Sequence, residues 1–219
     1  IIPNKNWKRA ARGEPWVMGD TLNAGVGQGY VLTTPLQLAI MTARLANGGK
    51  AVRPHLARDI IEVDQLVPRA APAFPSLKLN KHHLSLIHKG MEQVTQHQRG
   101  TARHSAIKEK GMEMAGKTGT SQVRRITKHE RATGVLKNDE LAWNRRDHAL
   151  FVGFAPISAP RYAIAVVVEH GGVGSSVAAP IAHDVMLECQ KRNLSQQSPG
   201  TKVTNVPSQL MVAEHGRDN

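Results

Sequence analysis

Apolar residues recur at helical spacing in three places along this chain and cluster into short runs in three others. The segment TTPLQLAIMTARLANGG, 33–49, places Leu36, Ala39, Ile40, Ala43 and Leu45–Ala46 on one stripe. Thr34 can cap this helix, and Pro35 falls at the first helical position, where its missing N–H forfeits no bond. Asn47-Gly48-Gly49 predicts a left-handed stop. A second helix is predicted over NKHHLSLIHKGMEQVTQ, 80–96, with Asn80 as cap and Leu84, Ile87, Met91 and Val94 on one face. The third, GGVGSSVAAPIAHDVMLECQKR, 171–192, reads as a glycine turn, a serine cap and an amphipathic helix kinked by the internal Pro180.

The extended segments have a different pattern. HALFVGFAP (148–156) and RYAIAVVVEH (161–170) are the two clearest strands, joined through Ile157–Arg161 by a turn of hairpin length. MEMAGKTGTSQV (112–123) is interrupted by glycine and bounded by charge, as expected of a strand lining a ligand site rather than a buried central one. Residues 1–33, with Pro3, Pro15 and the Gly-rich NAGVGQGY at 23–30, read as loop. Residues 51–67 are mixed and extended, 68–76 form a proline-bearing linker, and HSAIKEKG (104–111) is a loop. The polar, aperiodic stretch 124–147 reads as a long excursion of the kind that is usually functional. Residues 193–219, rich in Ser, Gln, Pro and charge, are expected to form a disordered tail. The order helix, helix, three strands, helix implies an α+β fold, an antiparallel sheet flanked by helices, within 1–192.

Composition changes this picture little. A hydrophobic content of 40% suits a globular core, and an aromatic content of 4% leaves packing to aliphatic side chains. Twenty-nine basic against seventeen acidic residues give a net charge of +12. That excess is spread over the first dozen residues, 124–146 and the tail, without a basic stripe or interleaved aromatics, so nucleic acid is not an expected partner. Cys189 stands alone, which excludes an internal disulfide and a cysteine metal cluster. The eleven histidines are scattered, and His82, His83 and His88 lack ligand spacing, so no metal or cofactor is expected. The longest apolar run, 163–168, is far too short to span a bilayer. No charged n-region followed by an apolar h-region appears at the start, so no signal peptide is expected within the chain, and the opening Ile-Ile-Pro suggests that the start belongs to a longer protein.

Candidate chemistry concentrates in AGKTGTSQV. Lys117-Thr118-Gly119 is a signature of serine acyl-enzymes, though the tripeptide arises by chance in about one chain in ten of this length. The residue types suit the task. Lys117 supplies a fixed positive charge to a substrate carboxylate, the hydroxyls of Thr118 and Thr120 can bind it, and Gly119 leaves room along the strand. A backbone N–H just past the glycine can donate to an oxyanion. Such enzymes also need a serine one helical turn before a lysine. Ser105-Ala106-Ile107-Lys108 matches formally, but it sits in a charged segment without a buried helix start, and it is expected to be a chance match. Ser-x-Asn does not occur. Gly25-x-Gly27-x-Gly29 lacks the preceding strand of a dinucleotide loop and is expected to be structural. Gly172–Ser176 reads as turn and cap rather than an anion site, and Asp147-His148 as a structural pair.

Four segments taken together, WVMGDTLNAGVGQGYVLTTPLQLA (16–39), GTARHSAIKEKGMEMAGKTGTSQVRR (100–125), RDHALFVGFAP (146–156) and VVVEHGGVGSSVAAPIAHDVM (166–186), resemble the penicillin-binding protein 2 family. These are the class B peptidoglycan D,D-transpeptidases of bacterial cell elongation, and the likeness is to the C-terminal part of their transpeptidase domain. The resemblance implies a transpeptidase that cross-links stem peptides of lipid-linked glycan strands through an acyl-serine intermediate and is acylated by β-lactams. It makes Lys117, Thr118 and Gly119 the third motif, with Thr120 giving the second oxyanion N–H. It also implies elongation-complex membrane proteins as partners and a place on the periplasmic face of the inner membrane. The family's Ser-x-x-Lys, Ser-x-Asn and membrane anchor would lie before Ile1, so the chain is expected to be inactive alone. The rival expectation is a non-catalytic penicillin-binding sensor or interaction module on the same fold.

Overall fold

A computed structural model describes residues 1–56, 59–62, 65–68, 74–124 and 126–192, with the backbone alone for 59–62 and 65–68. The expected tail and most of the proline-bearing linker lie outside these residues. The centre of the fold is a three-stranded antiparallel sheet. Its members are β3 (Ala115–Ser121), β4 (His148–Ala155) and β5 (Tyr162–Val168), in the order β3-β4-β5. The turn through Ile157–Arg161 joins β4 to β5 as predicted. A separate two-stranded hairpin pairs β1 (Asp59–Glu62) with β2 (Gln65–Pro68), which accounts for the extended reading of 51–67.

Three helices pack on the sheet: α3 (Pro35–Ala46), α4 (Lys81–Gln96) and α6 (Ala178–Lys191). Side-chain alternation sorts β4 between its two faces. Ala149, Phe151 and Ala155 point toward α6, where Ala178, Ala179, Ala182 and Met186 meet them with Ile107 and Met114. Small residues on both sides let helix and sheet approach closely. Phe154 points the other way and packs with Ala115, Ala46 of α3 and Met91 of α4. The result is helix, sheet, helix, the layered α+β arrangement implied by the element order.

The helix ends follow their sequence signals, with exceptions. Thr34 accepts from Gln37 N–H at 3.2 Å while the Gln37 side chain accepts from Thr34 N–H at 2.9 Å, a reciprocal box around Pro35. Gly48 and Gly49 take positive φ of 81° and 85° after Asn47. Asn80 accepts from His82 and His83 at the start of α4. On α3 and α4 the apolar stripes are narrower than predicted, since Leu36 is 59% and Ile87 42% exposed. In α6 no serine caps the first turn: Val177 precedes it without a side-chain bond. Pro180 falls within that first turn, where backbone N–H groups have no intrahelical partner, so the expected kink has no cause.

The stretch 1–33 is not the loop its composition suggests. It contains α1 (Lys5–Arg12) and α2 (Met18–Gly25). Asn4 caps α1 by accepting from Trp7 N–H at 2.9 Å, and Gly13 closes it at φ 69°. Neither helix shows an apolar period long enough to read, because polar contacts hold them. Asp20 Oδ2 accepts from the N–H of Val17 at 2.8 Å and from Lys8 Nζ at 2.7 Å. Lys8 is 4% exposed, and its ammonium also lies over the Tyr30 ring, 5.6 Å from the centroid. The Lys8 hydrogen bond, followed by that of Val17, holds the Asp20 carboxyl below its ordinary range, and the bond to Asp20 raises the Lys8 ammonium above its own. The pair therefore stabilises from above the ordinary carboxylate range up to the ordinary lysine range. It weakens as pH falls through the lowered Asp20 pKa or rises through the raised Lys8 pKa. Asp20→Asn removes the charge that Lys8 needs, and is expected to lower the thermal midpoint and free the amides of 5–25 for hydrogen exchange while leaving those of β4 protected.

Candidate active site

Strand β3 carries the candidate residues, and its two ends have opposite environments. At its start Met114 and Ala115 are fully buried. The Thr95 hydroxyl donates to Met114 O at 2.5 Å and Gln96 Nε2 to the same oxygen at 3.3 Å, so the C-terminal turn of α4 clamps the strand. Gly116 sits where a Cβ would come within 2.2 Å of Phe151 Cζ and 2.6 Å of Val152 O. Beyond it burial fades: Lys117, Thr120 and Ser121 are exposed, Thr118 and Gly119 half-buried. The strand pairs only with β4 among the described residues, in a register from Ala115↔Phe154 to Ser121↔His148. It is an edge strand rather than a buried central one, as the sequence predicted of this segment.

That outer part of β3 lines a cleft of about 930 Å³. Lys117 to Arg124 form one wall, with His148, Leu150 and Val167 at its base. The other wall is the glycine-rich turn after α2 and the start of α3, including Gly27, Gly29, Leu32, Pro35 and Leu38. Gly27 and Gly29 take positive φ of 74° and 69°, the conformation that brings this turn round. The turn is thus structural, as predicted, and its position opposite the Lys-Thr-Gly strand is what the sequence alone did not reveal. Lys117 Nζ donates to Thr118 O at 2.7 Å and has no carboxylate partner among the described residues. Thr118 Oγ1 lies 3.2 Å from Thr101 Oγ1. A fixed cation, two hydroxyl residues and an open strand edge face one cavity, which is the equipment for holding a carboxylate beside a peptide backbone.

The other candidates separate from this site. Ser105 lies in a short 3₁₀ turn, Arg103–Ser105, not in an α-helix. Contrary to the sequence reading, the segment does offer burial: Ser105 is 3% exposed, and Ala106 and Ile107 are buried beside it. That burial hides the serine, whose hydroxyl has no hydrogen-bond partner among the described residues, while Lys108 stays on the surface. Gly174 packs where a Cβ would fall 2.4 Å from both Gly119 O and Leu150 O, so the turn 172–176 braces the strands from behind. Ser176 Oγ donates to Val173 O at 3.2 Å, a local turn contact. Asp147 is structural: its Oδ2 accepts from Asn138 Nδ2 at 3.3 Å and its backbone N–H donates to Asn138 Oδ1 at 2.8 Å. His148, by contrast, lines the cleft. Its place in register with Ser121 is the signal that would have found it. No group of three His, Cys, Asp or Glu among the described residues could hold a metal ion.

The excursion after β3 holds a short helix, α5 (Lys128–Thr133), and two 3₁₀ turns. It is tied to the rim of the cleft by Glu130, which accepts from Arg124 at 2.5 Å and from Thr127 N–H at 2.8 Å.

Residues 3–187 match the penicillin-binding protein transpeptidase domain. The chain belongs to that family. It is 37% identical over 210 residues to the peptidoglycan D,D-transpeptidase MrdA of Haemophilus influenzae, covering 95% of this chain and 31% of that protein. To the Escherichia coli K12 MrdA it is 31% identical, covering 90% and 31%. The penicillin-binding fold is equally plain in solved structures. The Pseudomonas aeruginosa PBP2 complex with WCK 5153 superposes with a TM-score of 0.66 at 41% identity, over 85% of this chain and 37% of that one. The Helicobacter pylori PBP2 complex with MreC gives 0.68 at 32%, over 89% and 31%. The chain thus spans about a third of the length of these relatives.

Two measurements test this description of β3 and the rim beside it. Gly116→Ala is expected to destabilise by about 1–3 kcal/mol through overpacking against Phe151. Gly119→Ala, whose Cβ meets only Leu150 Cβ at 3.3 Å and Leu150 O at 4.0 Å, is expected to stay within about 1 kcal/mol of the parent in urea titrations. Equal losses at the two glycines would contradict the open edge. Second, the Thr127 N–H, then the Arg124 guanidinium and Thr127 hydroxyl, pull the Glu130 carboxyl down from 4.5 to about 2. Because the folded value is depressed, its contribution is complete above pH about 4.5 and is lost as pH falls toward about 2. Glu130→Gln should therefore flatten the acid limb of stability in urea titrations over that window.

Proposed function

We propose that this chain forms the substrate-binding wall of a peptidoglycan D,D-transpeptidase, an enzyme that cross-links stem peptides through an acyl-serine intermediate and is acylated by β-lactams. The observation that carries the reading is the exposed edge of β3, with Lys117 to Thr120 facing a 930 Å³ cleft, in a chain of this family. In this reading the Lys117 ammonium and the Thr118 and Thr120 hydroxyls hold the terminal carboxylate of a D-Ala–D-Ala stem or of a β-lactam. Gly119 lets the ligand backbone lie against the strand. The Thr120 N–H donates to the oxyanion that forms as a serine attacks the carbonyl.

The nucleophile and its lysine are not among these 219 residues. Ser105 is buried in a 3₁₀ turn, remote in function from the Lys117 edge, so the chain alone binds without acylating. Residues 1–192 are the C-terminal portion of the transpeptidase domain. The H. pylori relative is solved with MreC, and this protein is proposed to meet elongation-complex membrane proteins of that kind at the periplasmic face of the inner membrane.

Two experiments on the chain test the reading. Incubation with a fluorescent penicillin should leave no covalent adduct by mass spectrometry, whereas an adduct at Ser105 would overturn the assignment. Titration with a stem pentapeptide ending in D-Ala–D-Ala should shift the amide resonances of 117–120. Lys117→Ala should weaken that binding about tenfold or more, the effect of removing a charge-assisted contact.

A further inference from the structure

The His148 ring is fixed at one nitrogen and open at the other. Its Nδ1 accepts the backbone N–H of His170 at 2.9 Å. A backbone amide can only donate, so the neutral ring carries its proton on Nε2. No described residue bonds that nitrogen.

The machinery that sets this tautomer is extensive for one half-buried corner. His170 takes a left-handed φ of 54°, a region uncommon for residues other than glycine, though less so for histidine than for most. Strain of this sort persists only where the surroundings over-determine it. Here His170 Nδ1–H donates to Arg146 O at 2.9 Å, and Gly172 N–H donates to Asp147 O at 2.8 Å. The Asn138 side chain holds Asp147 itself. Trp143 stands edge-on to His170 at 4.6 Å between ring centroids, and His170 edge-on to His148 at 4.7 Å. Three successive residues before and within β4 are thereby held around a single N–H donor.

The residue that carries that donor lines the cleft. His148 lines it together with Lys117–Arg124 and sits opposite Ser121, one rung beyond Thr120↔Ala149. An extended ligand with its terminal carboxylate at Lys117 and Thr118, running antiparallel to β3, passes Thr120 and reaches Ser121 roughly 7 Å beyond Gly119. Its D-Ala–D-Ala end occupies the first part of the strand, and a residue further toward its N-terminus arrives at His148.

Resting on the transpeptidase reading, we infer that His148 is a substrate-binding residue. Its Nε2–H holds an oxygen, a backbone carbonyl or a side-chain carboxylate, of a stem-peptide residue preceding D-Ala–D-Ala, and so favours the full stem over the bare dipeptide.

The test is a set of NMR titrations of the full chain with the stem pentapeptide and with acetyl-D-Ala–D-Ala. His148→Asn keeps an oxygen where Nδ1 accepts from His170 but removes the distal donor. It should weaken the pentapeptide about tenfold and leave acetyl-D-Ala–D-Ala within about twofold of the parent. His148→Gln, which restores a distal N–H, should bring the pentapeptide back to within about threefold. Imidazole ¹⁵N shifts should show the Nε2–H tautomer. Amidating the side-chain carboxylate of the pentapeptide separates the two oxygens: a loss absent from His148→Asn identifies the carboxylate, and no loss identifies the carbonyl. An Nδ1–H tautomer, equal weakening of both ligands by His148→Asn, or no weakening of either would overturn the inference. Should Lys117→Ala leave both ligands unaffected, it is the wall reading beneath it that falls, whatever His148 does.

Discussion

The antiparallel pairing of β3 with β4 is the constraint on which the rest of the structure depends. It sets Lys117, Gly119 and Ser121 on the same face as Val152, Leu150 and His148, and it leaves the far edge of β3 without a strand partner among the described residues. An unpaired strand edge is ordinarily a liability, since its free N–H and C=O groups will pair with any extended chain. Here polar and charged residues occupy the exposed half, and the cleft in front of it limits what can approach. A strand edge at a cavity can thereby stay open without inviting sheet extension.

Holding one edge open requires that the strand be anchored elsewhere. The anchor is the buried half: Met114 and Ala115 in the core, the Thr95 and Gln96 bonds to Met114 O, and Phe151 packed where Gly116 has no side chain. From behind, Gly174 brings the turn before α6 against Gly119 O and Leu150 O. Each contact is to backbone or across a space too small for a methyl group. Close packing of this kind transmits position rather than merely adding stability, so the geometry of Lys117 to Thr120 is fixed by the packed side of the sheet.

The facing wall rests on different physics. Residues 1–33 have no large apolar core. Their two helices are joined by the Lys8–Asp20 pair, and the turn after α2 is held to α1 by the tilted contact of Trp7 with Tyr30 at 5.4 Å and by Lys8 and Arg12 over the same ring. Many of their apolar side chains, Met18, Leu22 and Val26 among them, stay exposed. The cleft therefore lies between a tightly packed sheet and a unit assembled from polar contacts.

Those two kinds of physics explain what could be read in advance. Apolar period and helix-end residues were sufficient for α3, α4, α6 and the three strands, because each buries a face whose spacing is written locally. The Lys-Thr-Gly-Thr strand was legible for the same reason: glycine and charge mark a strand that cannot be central. Missed were α1 and α2, whose stabilising partners, Lys8 with Asp20 and Trp7 with Tyr30, lie too far apart in sequence to leave a periodic trace. Pro180 misled because a proline inside a helix and one in its first turn differ only by where the helix begins. Ser105 shows the complementary limit, for the chain order gives Ser-x-x-Lys while packing buries the serine and leaves Lys108 outside. The sequence by itself determined which segments fold and which residue types could bind a carboxylate. Tertiary structure alone decided that Gly27, Gly29, Lys117 and His148 surround one cavity, because strand register and helix docking join residues more than a hundred positions apart, where no local period reaches.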